Sequence, residues 1–330
     1  MVKPTTLSCD WYQDLKMYQI PEALSSEIQD KFSNISLVPV NCPGLPEYDE
    51  NSKIYFGNRI DERILSNMPE IEWVHFGSIG TDKLSFDVIN KNKLTITNSR
   101  GTMEEAVAAT ALSFIFSLAR GQKKIHNSII KNSFGREDYD EFFSNISDVY
   151  GSKFCILGYG QISLELLKPL KPIAGQINIV TRTTRDIPGL SFFNYSEINQ
   201  AVKNADFIIN LLPHNENTEN IINKEVISNF SEECFYINLG RCATNDEKCL
   251  VEAVYKNKIA GLGLDVFSGD KKLKQKMFKH HKIILSPHVA SVSKNYWKKQ
   301  TSIIMWNLTK YFEEDFEGMK NLVYLKGDLI

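Results

Sequence analysis

KFCILGYGQISLELL, residues 153–167, is the stretch that decides the fold. Lys153–Leu157 reads as a buried strand, Gly158 and Gly160 turn the chain, and ISLELLKPLKPIAG continues as a helix stopped by prolines and Gly175. Strand, glycine turn and helix in that order open a nucleotide-binding βαβ unit. The first glycine permits the tight turn, and the second lets the backbone approach a pyrophosphate at the positive end of the helix. Gly158, Gly160, Gln161 and Ile162 are therefore the expected phosphate contacts. Ser163 stands where a third glycine is usual, which costs some helix–strand closeness but no phosphate donor.

The rest of the chain repeats that alternation. Downstream, INIVT, DFIINLLP, CFYINL, IAGLGLDV and KIILSP read as strands, with amphipathic segments at 196–204, 218–229 and 245–258 between them. Upstream, strand-like runs fall at Leu37–Val40, Lys53–Phe56, Ile71–Phe76 and Leu94–Thr97, with helical patterns at Pro21–Phe32 and Ile60–Asn67. Such alternation is the signature of parallel α/β layering. TMEEAVAATALSFIFSLAR, residues 102–120, offers Thr102 and Glu105 as a capping box. It is apolar nearly all round, which predicts burial between domains or subunits.

A length of 330 residues predicts two domains. The Trp-bearing helical segment Asn295–Phe312 follows the last strand and is expected to rejoin the first domain. The expected division is residues 1–101 with 291–330 as a discontinuous first domain, and 102–290 as the dinucleotide-binding domain.

Composition narrows the classes. With 42% hydrophobic and 24% charged residues the chain is ordinary globular protein. A formal net charge of -2 gives no general pull towards nucleic acid or anionic membrane. The most apolar stretch, Val107–Ala119, is too short to span a bilayer. MVKPTTLSCDWYQ carries no signal-peptide h-region. Cysteines at 9, 42, 155, 234, 242 and 249 form no C-x-x-C pair and no metal-type spacing, so a reduced, cytoplasmic protein without a metal site is expected.

The second strand of the nucleotide unit says which nucleotide. An NAD site usually carries an acid about 20 residues beyond the glycines, bonded to the ribose 2′-OH. Here the chain reads Val180-Thr181-Arg182-Thr183-Thr184-Arg185, with no acid until Asp186. Arg182, Thr183 and Arg185 make a receptor for the 2′-phosphate of NADP, which is preferred over NAD.

Three single residues carry the chemistry. Arg241, Asp270 and His288 each follow an apolar run, respectively Cys234–Leu239, Ile259–Val266 and Lys282–Leu285. Open α/β sheets bind ligands at the carboxyl ends of their strands. A guanidinium fork there would hold a carboxylate and a carbonyl oxygen. An imidazole would donate a proton to the developing alkoxide, and a carboxylate beside it would favour the imidazolium and orient the ring. The set suits reduction of a 2-oxo acid.

The segments IEWVHFGSIGTDKL, ITNSRGTMEEAVAATAL, ILGYGQIS, DFIINLLPHNENTENIIN, INLGRCATND, AGLGLDVF and ILSPHVAS resemble the D-isomer-specific 2-hydroxyacid dehydrogenases, in the right order over roughly residues 50 to 300. VTRTTRD and INLLPHNENT bring the glyoxylate/hydroxypyruvate reductase branch nearest. The resemblance implies two doubly wound parallel-sheet domains, a flavodoxin-like substrate domain and a Rossmann-type nucleotide domain, with the active site in the cleft and usually a homodimer. It puts the family's arginine, carboxylate and histidine on Arg241, Asp270 and His288. It puts substrate-binding N–H groups on Ser78, Ile79 and Gly80, and ribose and nicotinamide contacts on Leu212, Pro213 and Asp265.

Several departures stand out. Asp270-Lys271 replaces the family's Glu-Pro, and the acid's reach to His288 is shorter by roughly an ångström. Cys242 replaces the glycine after the arginine, and a thiol at a helix start invites a lowered pKa and redox reactivity. KKLKQKMFKHHK, residues 271–282, replaces a proline-rich loop with a solvated basic face able to attract anions. The same fold resembles dinucleotide-sensing corepressors of this family. Asp270 keeps that non-catalytic alternative open, while the Arg–acid–His set argues for an enzyme.

Overall fold

Short strands, most of them buried along nearly their whole length, build two sheets. The structure, a computed structural model, describes residues 5–11, 19–40, 47–80, 85–133, 135–136 and 146–330. The chain divides into Met1–Met103 with Val292–Ile330, and Glu104–Ser291.

In the first unit β1 (Thr5–Cys9), β2 (Ile35–Pro39), β3 (Ser52–Gly57), β4 (Trp73–Phe76) and β5 (Thr95–Asn98) run parallel, with α1 (Glu22–Lys31), α2 (Glu62–Asn67) and α3 (Phe86–Lys91) between them. Their order, β2-β1-β3-β4-β5, is the flavodoxin-like one. Ile54, Phe56 and Trp73 join Leu7 and Ile28 on one face, while Tyr55, Val74, Phe76 and Ile96 join Ile64 on the other. That is the two-residue period of a strand buried on both sides. Strand β1 was not expected, because TTLSC is mostly polar. Its Leu7 and Cys9 are fully buried, and Ser8 meets its polar demand by bonding Ser52 Oγ at 2.6 Å.

The second unit comprises α4 (Glu104–Ala119), α5 (Gln122–Ile130), β6 (Lys153–Leu157), α6 (Gln161–Leu170), β7 (Gln176–Val180), β8 (Ser191–Phe193), α7 (Ile198–Val202), β9 (Phe207–Asn210), α8 (Lys224–Ser228), β10 (Phe235–Asn238), α9 (Glu247–Tyr255), β11 (Gly261–Leu264), α10 (Lys271–Lys279) and β12 (Ile283–Leu285). The parallel order β8-β7-β6-β9-β10-β11-β12 reverses direction between β6 and β9, the switch point of a Rossmann sheet. Pro169 lies inside α6 instead of stopping it, and Lys171 N–H closes the last turn on Leu167 O at 3.0 Å.

Helix α4 was expected between domains or subunits. One face packs on the sheet of its own unit, where Val107, Phe114, Ile115 and Leu118 share a core with Phe154 and Ile237. Gly263 permits this, since a Cβ there would sit 2.9 Å from Phe114. All-round apolarity does not say which face meets which neighbour, and Phe116 stays 39% exposed.

The chain returns to the first unit through α11 (Tyr296–Phe312), β13 (Leu322–Leu325) and β14 (Asp328–Leu329). Strand β13 is antiparallel to β5 and gives that sheet a mixed edge. Among the described residues no helix is long and apolar enough to cross a membrane.

Candidate active site

The β6–α6 turn is built to receive phosphate. Gly158 holds φ +105, its N–H donates to Val180 O at 2.8 Å, and a Cβ there would lie 3.3 Å from Leu211 O. Gly160 is extended, with open space where a Cβ would be, and no side chain caps α6. The first N–H groups of that helix therefore keep their preference for an anion. Ser163, in the third-glycine position, is fully buried and donates to Gly160 O at 2.7 Å, which absorbs its hydroxyl. Gln161 is exposed, and Ile162 packs on the core. Leu212 is buried with its N–H on Asn210 Oδ1 at 3.0 Å, and Pro213 is exposed. This turn fits a dinucleotide.

Beyond β7, Arg182, Thr183 and Arg185 are all exposed. The Arg185 guanidinium lies 5.3 Å over the Tyr159 ring, which rests edge-on against Phe192. Arg182 faces Tyr195, whose hydroxyl pKa burial raises and the guanidinium opposes. Among the described residues neither arginine pairs with a carboxylate. Two exposed cations beside hydroxyls suit a phosphate.

At the ends of β10, β11 and β12 the structure brings Arg241 and His288 together. They line one cavity of about 230 Å³ with Cys242, Asp265, Val266, Phe267 and Pro287. Gly240 sets the approach, because a Cβ there would lie 2.5 Å from Leu212 O. The Arg241 carbonyl accepts from Thr244 Oγ1 at 2.7 Å and Asn238 Nδ2 at 3.1 Å, which anchors the backbone under the guanidinium. His288 sits in the left-handed region at φ +57, with its N–H donating to Asp265 O at 2.9 Å. The buried Asp265 carboxylate accepts from the Ser286 hydroxyl, Val289 N–H at 2.9 Å and Ala290 N–H at 3.2 Å. The loop bearing the imidazole is wrapped on this carboxylate.

A larger hollow of about 710 Å³ lies where the same strands begin, lined by Tyr150, Asp206, Glu232, Glu233 and Lys282. Open α/β sheets use the carboxyl ends, so the smaller cavity is the candidate site.

Asp270 is not brought to His288. It is exposed at the N-cap of α10, where Oδ1 accepts from Leu273 N–H at 2.8 Å. Aspartate is among the strongest N-caps, and a nine-residue helix following it uses that carboxylate. Among the described residues no carboxylate hydrogen bonds the His288 ring.

The surroundings of Cys242 oppose a reactive thiolate. Burial and the Glu247 carboxylate push its pKa up to about 12. The thiol lies 3.4 Å from Glu247 Oε2 and donates to it. Glu247 also accepts from Ser268 N–H at 2.8 Å and Oγ at 2.7 Å, tying the Arg241–Cys242 turn to the Phe267–Ser268 loop.

The Ser78–Gly80 turn of the first unit has its carbonyls taken. Gly77 O accepts from Tyr296 Oη at 2.9 Å, Ser78 O from Ser99 N at 3.1 Å, Ile79 O from Asn98 Nδ2 at 3.0 Å and Gly80 O from Ser78 Oγ at 3.3 Å. The N–H groups of Ser78, Ile79 and Gly80 donate to nothing among the described residues. Consecutive N–H groups without acceptors form an anion cradle. Arg100 is exposed and makes no ion pair among the described residues.

Residues 112–290 match the model of the D-isomer specific 2-hydroxyacid dehydrogenase NAD binding domain. The chain belongs to this family. It is 23% identical over 303 residues to glyoxylate/hydroxypyruvate reductase A of Arabidopsis thaliana, covering 90% of this chain and 95% of that one. It is 25% identical over 258 residues to a glyoxylate reductase of Pyrococcus horikoshii, covering 77% of each. Among solved structures, D-lactate dehydrogenase of Aquifex aeolicus complexed with NAD and lactic acid matches with TM-score 0.81 at 20% identity, over 97% of this chain and 99% of that one. An NADPH-dependent glyoxylate/hydroxypyruvate reductase of Sinorhizobium meliloti with NADP and malonate matches with TM-score 0.76 at 21% identity, over 94% of each.

Two features of this 2-hydroxyacid dehydrogenase escaped the sequence. Asp265 was expected as a cofactor contact, yet its carboxylate is engaged by the His288 loop. Glu247 was not singled out at all. An Asp-Glu pair opening a helix reads as ordinary capping, and only the fold shows that Glu247 reaches Ser268.

Proposed function

We propose that this dehydrogenase reduces a small 2-oxo acid of the glyoxylate or hydroxypyruvate kind to the D-2-hydroxy acid, with NADPH preferred over NADH. The observation that carries the reading is the single cavity shared by Arg241 and His288. Arg241 would hold the substrate carboxylate and carbonyl oxygen through its fork of donors, polarising the carbonyl carbon. His288 would give its proton to the carbonyl oxygen as the C–O π bond breaks. The N–H groups of Ser78, Ile79 and Gly80 would share the substrate carboxylate. When bound, the reduced nicotinamide supplies the hydride. Gly158, Gly160, Gln161 and Ile162 would hold the pyrophosphate, Leu212 and Pro213 would flank the ribose, and Arg182, Thr183 and Arg185 would receive the 2′-phosphate.

Asp270 is left out of this proton transfer, a reading supported by its Oδ1 capping α10 and by the lack of a hydrogen bond to the His288 ring among the described residues. The reductase names of the curated relatives support catalysis over the sensing alternative. The reading extends to a homodimer in the cytoplasm.

The test is NADPH consumption with a panel of 2-oxo acids, followed by chiral analysis of the product. The reading expects turnover of glyoxylate or hydroxypyruvate, and a D product wherever the carbon is chiral. No consumption with any 2-oxo acid, or an L product, overturns it.

A further inference from the structure

A buried polar chain lies directly behind the Ser78–Gly80 turn. Gln300, on α11, is fully buried. Its Nε2 lies 2.7 Å from His75 Nε2 and 2.9 Å from Ser99 Oγ. Ser99 Oγ donates to Phe76 O at 2.6 Å, so it must accept from the Gln300 amide. The amide nitrogen thus faces both partners, and His75 Nε2 is an acceptor. His75 Nδ1 then carries the proton and donates to Thr97 Oγ1 at 2.7 Å, which also accepts from Trp73 Nε1 at 2.9 Å. Burial pushes the His75 pKa down to about 3, so the ring stays neutral and this tautomer persists at neutral pH.

This chain ends on the turn. Ser99 takes hold of Phe76 O through its hydroxyl and of Ser78 O through its N–H at 3.1 Å. One helical turn before Gln300, the Tyr296 hydroxyl donates to Gly77 O at 2.9 Å. Tyr296 and Gln300 are four residues apart and share a face of α11. The helix therefore braces three successive carbonyls, Phe76, Gly77 and Ser78, just before the N–H groups of Ile79 and Gly80.

We propose that Gln300 and Tyr296 are positioning residues for substrate binding, holding the Ser78–Gly80 N–H groups in the arrangement that receives the carboxylate of a 2-oxo acid. This rests on the function proposed above. Neither residue is assigned contact with substrate. Pre-set donors spare the substrate the cost of ordering the turn, so the effect belongs in affinity and not in the chemical step.

The test uses Gln300→Leu and Tyr296→Phe in the full-length protein, with thermal unfolding recorded for each. Tyr296→Phe removes one hydroxyl and keeps the ring, so it carries the test even where Gln300→Leu does not fold. The expected result is a KM for the 2-oxo acid, and a Kd for the unreactive analogue oxamate, raised about five- to tenfold. kcat at saturation and NADPH affinity should stay within about twofold, a split that general loss of stability would not produce. Wild-type KM and oxamate Kd in the folded variants overturn the positioning role, as does a fall confined to kcat. If the wild type neither reduces 2-oxo acids nor binds oxamate, the functional reading falls and takes this one with it.

Discussion

Asp265 holds His288 in place from two directions. Its carbonyl receives the His288 N–H at 2.9 Å, and its carboxylate receives the N–H groups of Val289 at 2.9 Å and Ala290 at 3.2 Å. A histidine at φ +57 is uncommon, and the surrounding bonds must over-determine it.

Asp265→Asn puts an amide NH2 among donors that all need an acceptor. It should cost about 1–3 kcal/mol of stability in urea unfolding. It should also lower kcat for 2-oxo acid reduction more than it weakens NADPH binding. A variant with wild-type stability and kcat would show that the His288 loop is held by something else.

Asp270 separates a structural acid from a catalytic one. Asparagine caps a helix about as well as aspartate, so Asp270→Asn should leave both stability and the pH–rate profile unchanged. Asp270→Ala should lose about 0.5–2 kcal/mol through the cap alone. If Asp270→Asn moves the alkaline limb of the profile to lower pH, the carboxylate charges His288 in the working enzyme and the capping account is insufficient.

In the proposed reading the arginines after β7 set cofactor choice. Losing a charge-assisted phosphate contact should cost about 1.5–3 kcal/mol, so Arg182→Asp should reduce kcat/KM for NADPH by roughly 10- to 100-fold while sparing NADH. A wild type that prefers NADH removes the 2′-phosphate reading of Arg182, Thr183 and Arg185.

Cys242 should resist alkylation. The thiolate is the reactive form, and with a pKa pushed up to about 12 it is scarce at neutral pH and grows only as pH rises towards that value. Glu247→Gln removes the charge that opposes ionisation, so the pKa should fall and labelling at a fixed mildly alkaline pH should quicken. Peptide mapping after brief iodoacetamide exposure checks both. Rapid wild-type labelling of Cys242 contradicts the assignment.

What was legible in the sequence follows from where single residues face absolute constraints. Gly158 at φ +105 admits no side chain without strain, so the turn it marks can be read from the letters alone. The long apolar runs of β6, β9 and β10 are equally plain, because a strand covered on both faces has no polar alternation to blur it. Arg241 and His288 were legible through their place after such runs. Strand β1 was not, since Ser8 is satisfied by a serine 44 positions away. The capping role of Asp270 was hidden for a related reason. A carboxylate near a histidine in sequence can be claimed by the next helix, and the choice depends on whether residues 271–279 fold as one. Gln300 lay beyond sequence reasoning altogether, because its partners His75 and Ser99 are more than 200 positions distant.

The central claim is that Arg241 and His288 act on one substrate in one cavity. The most direct measurement is kcat/KM for NADPH oxidation with hydroxypyruvate in the wild type, Arg241→Lys and His288→Asn, with NADPH affinity followed by fluorescence. Lysine keeps the charge but loses the planar fork, and asparagine tolerates the left-handed backbone but cannot supply the imidazolium proton. The account predicts that both variants bind NADPH normally and lose about 100-fold or more in kcat/KM. Near-wild-type turnover in either variant would contradict it.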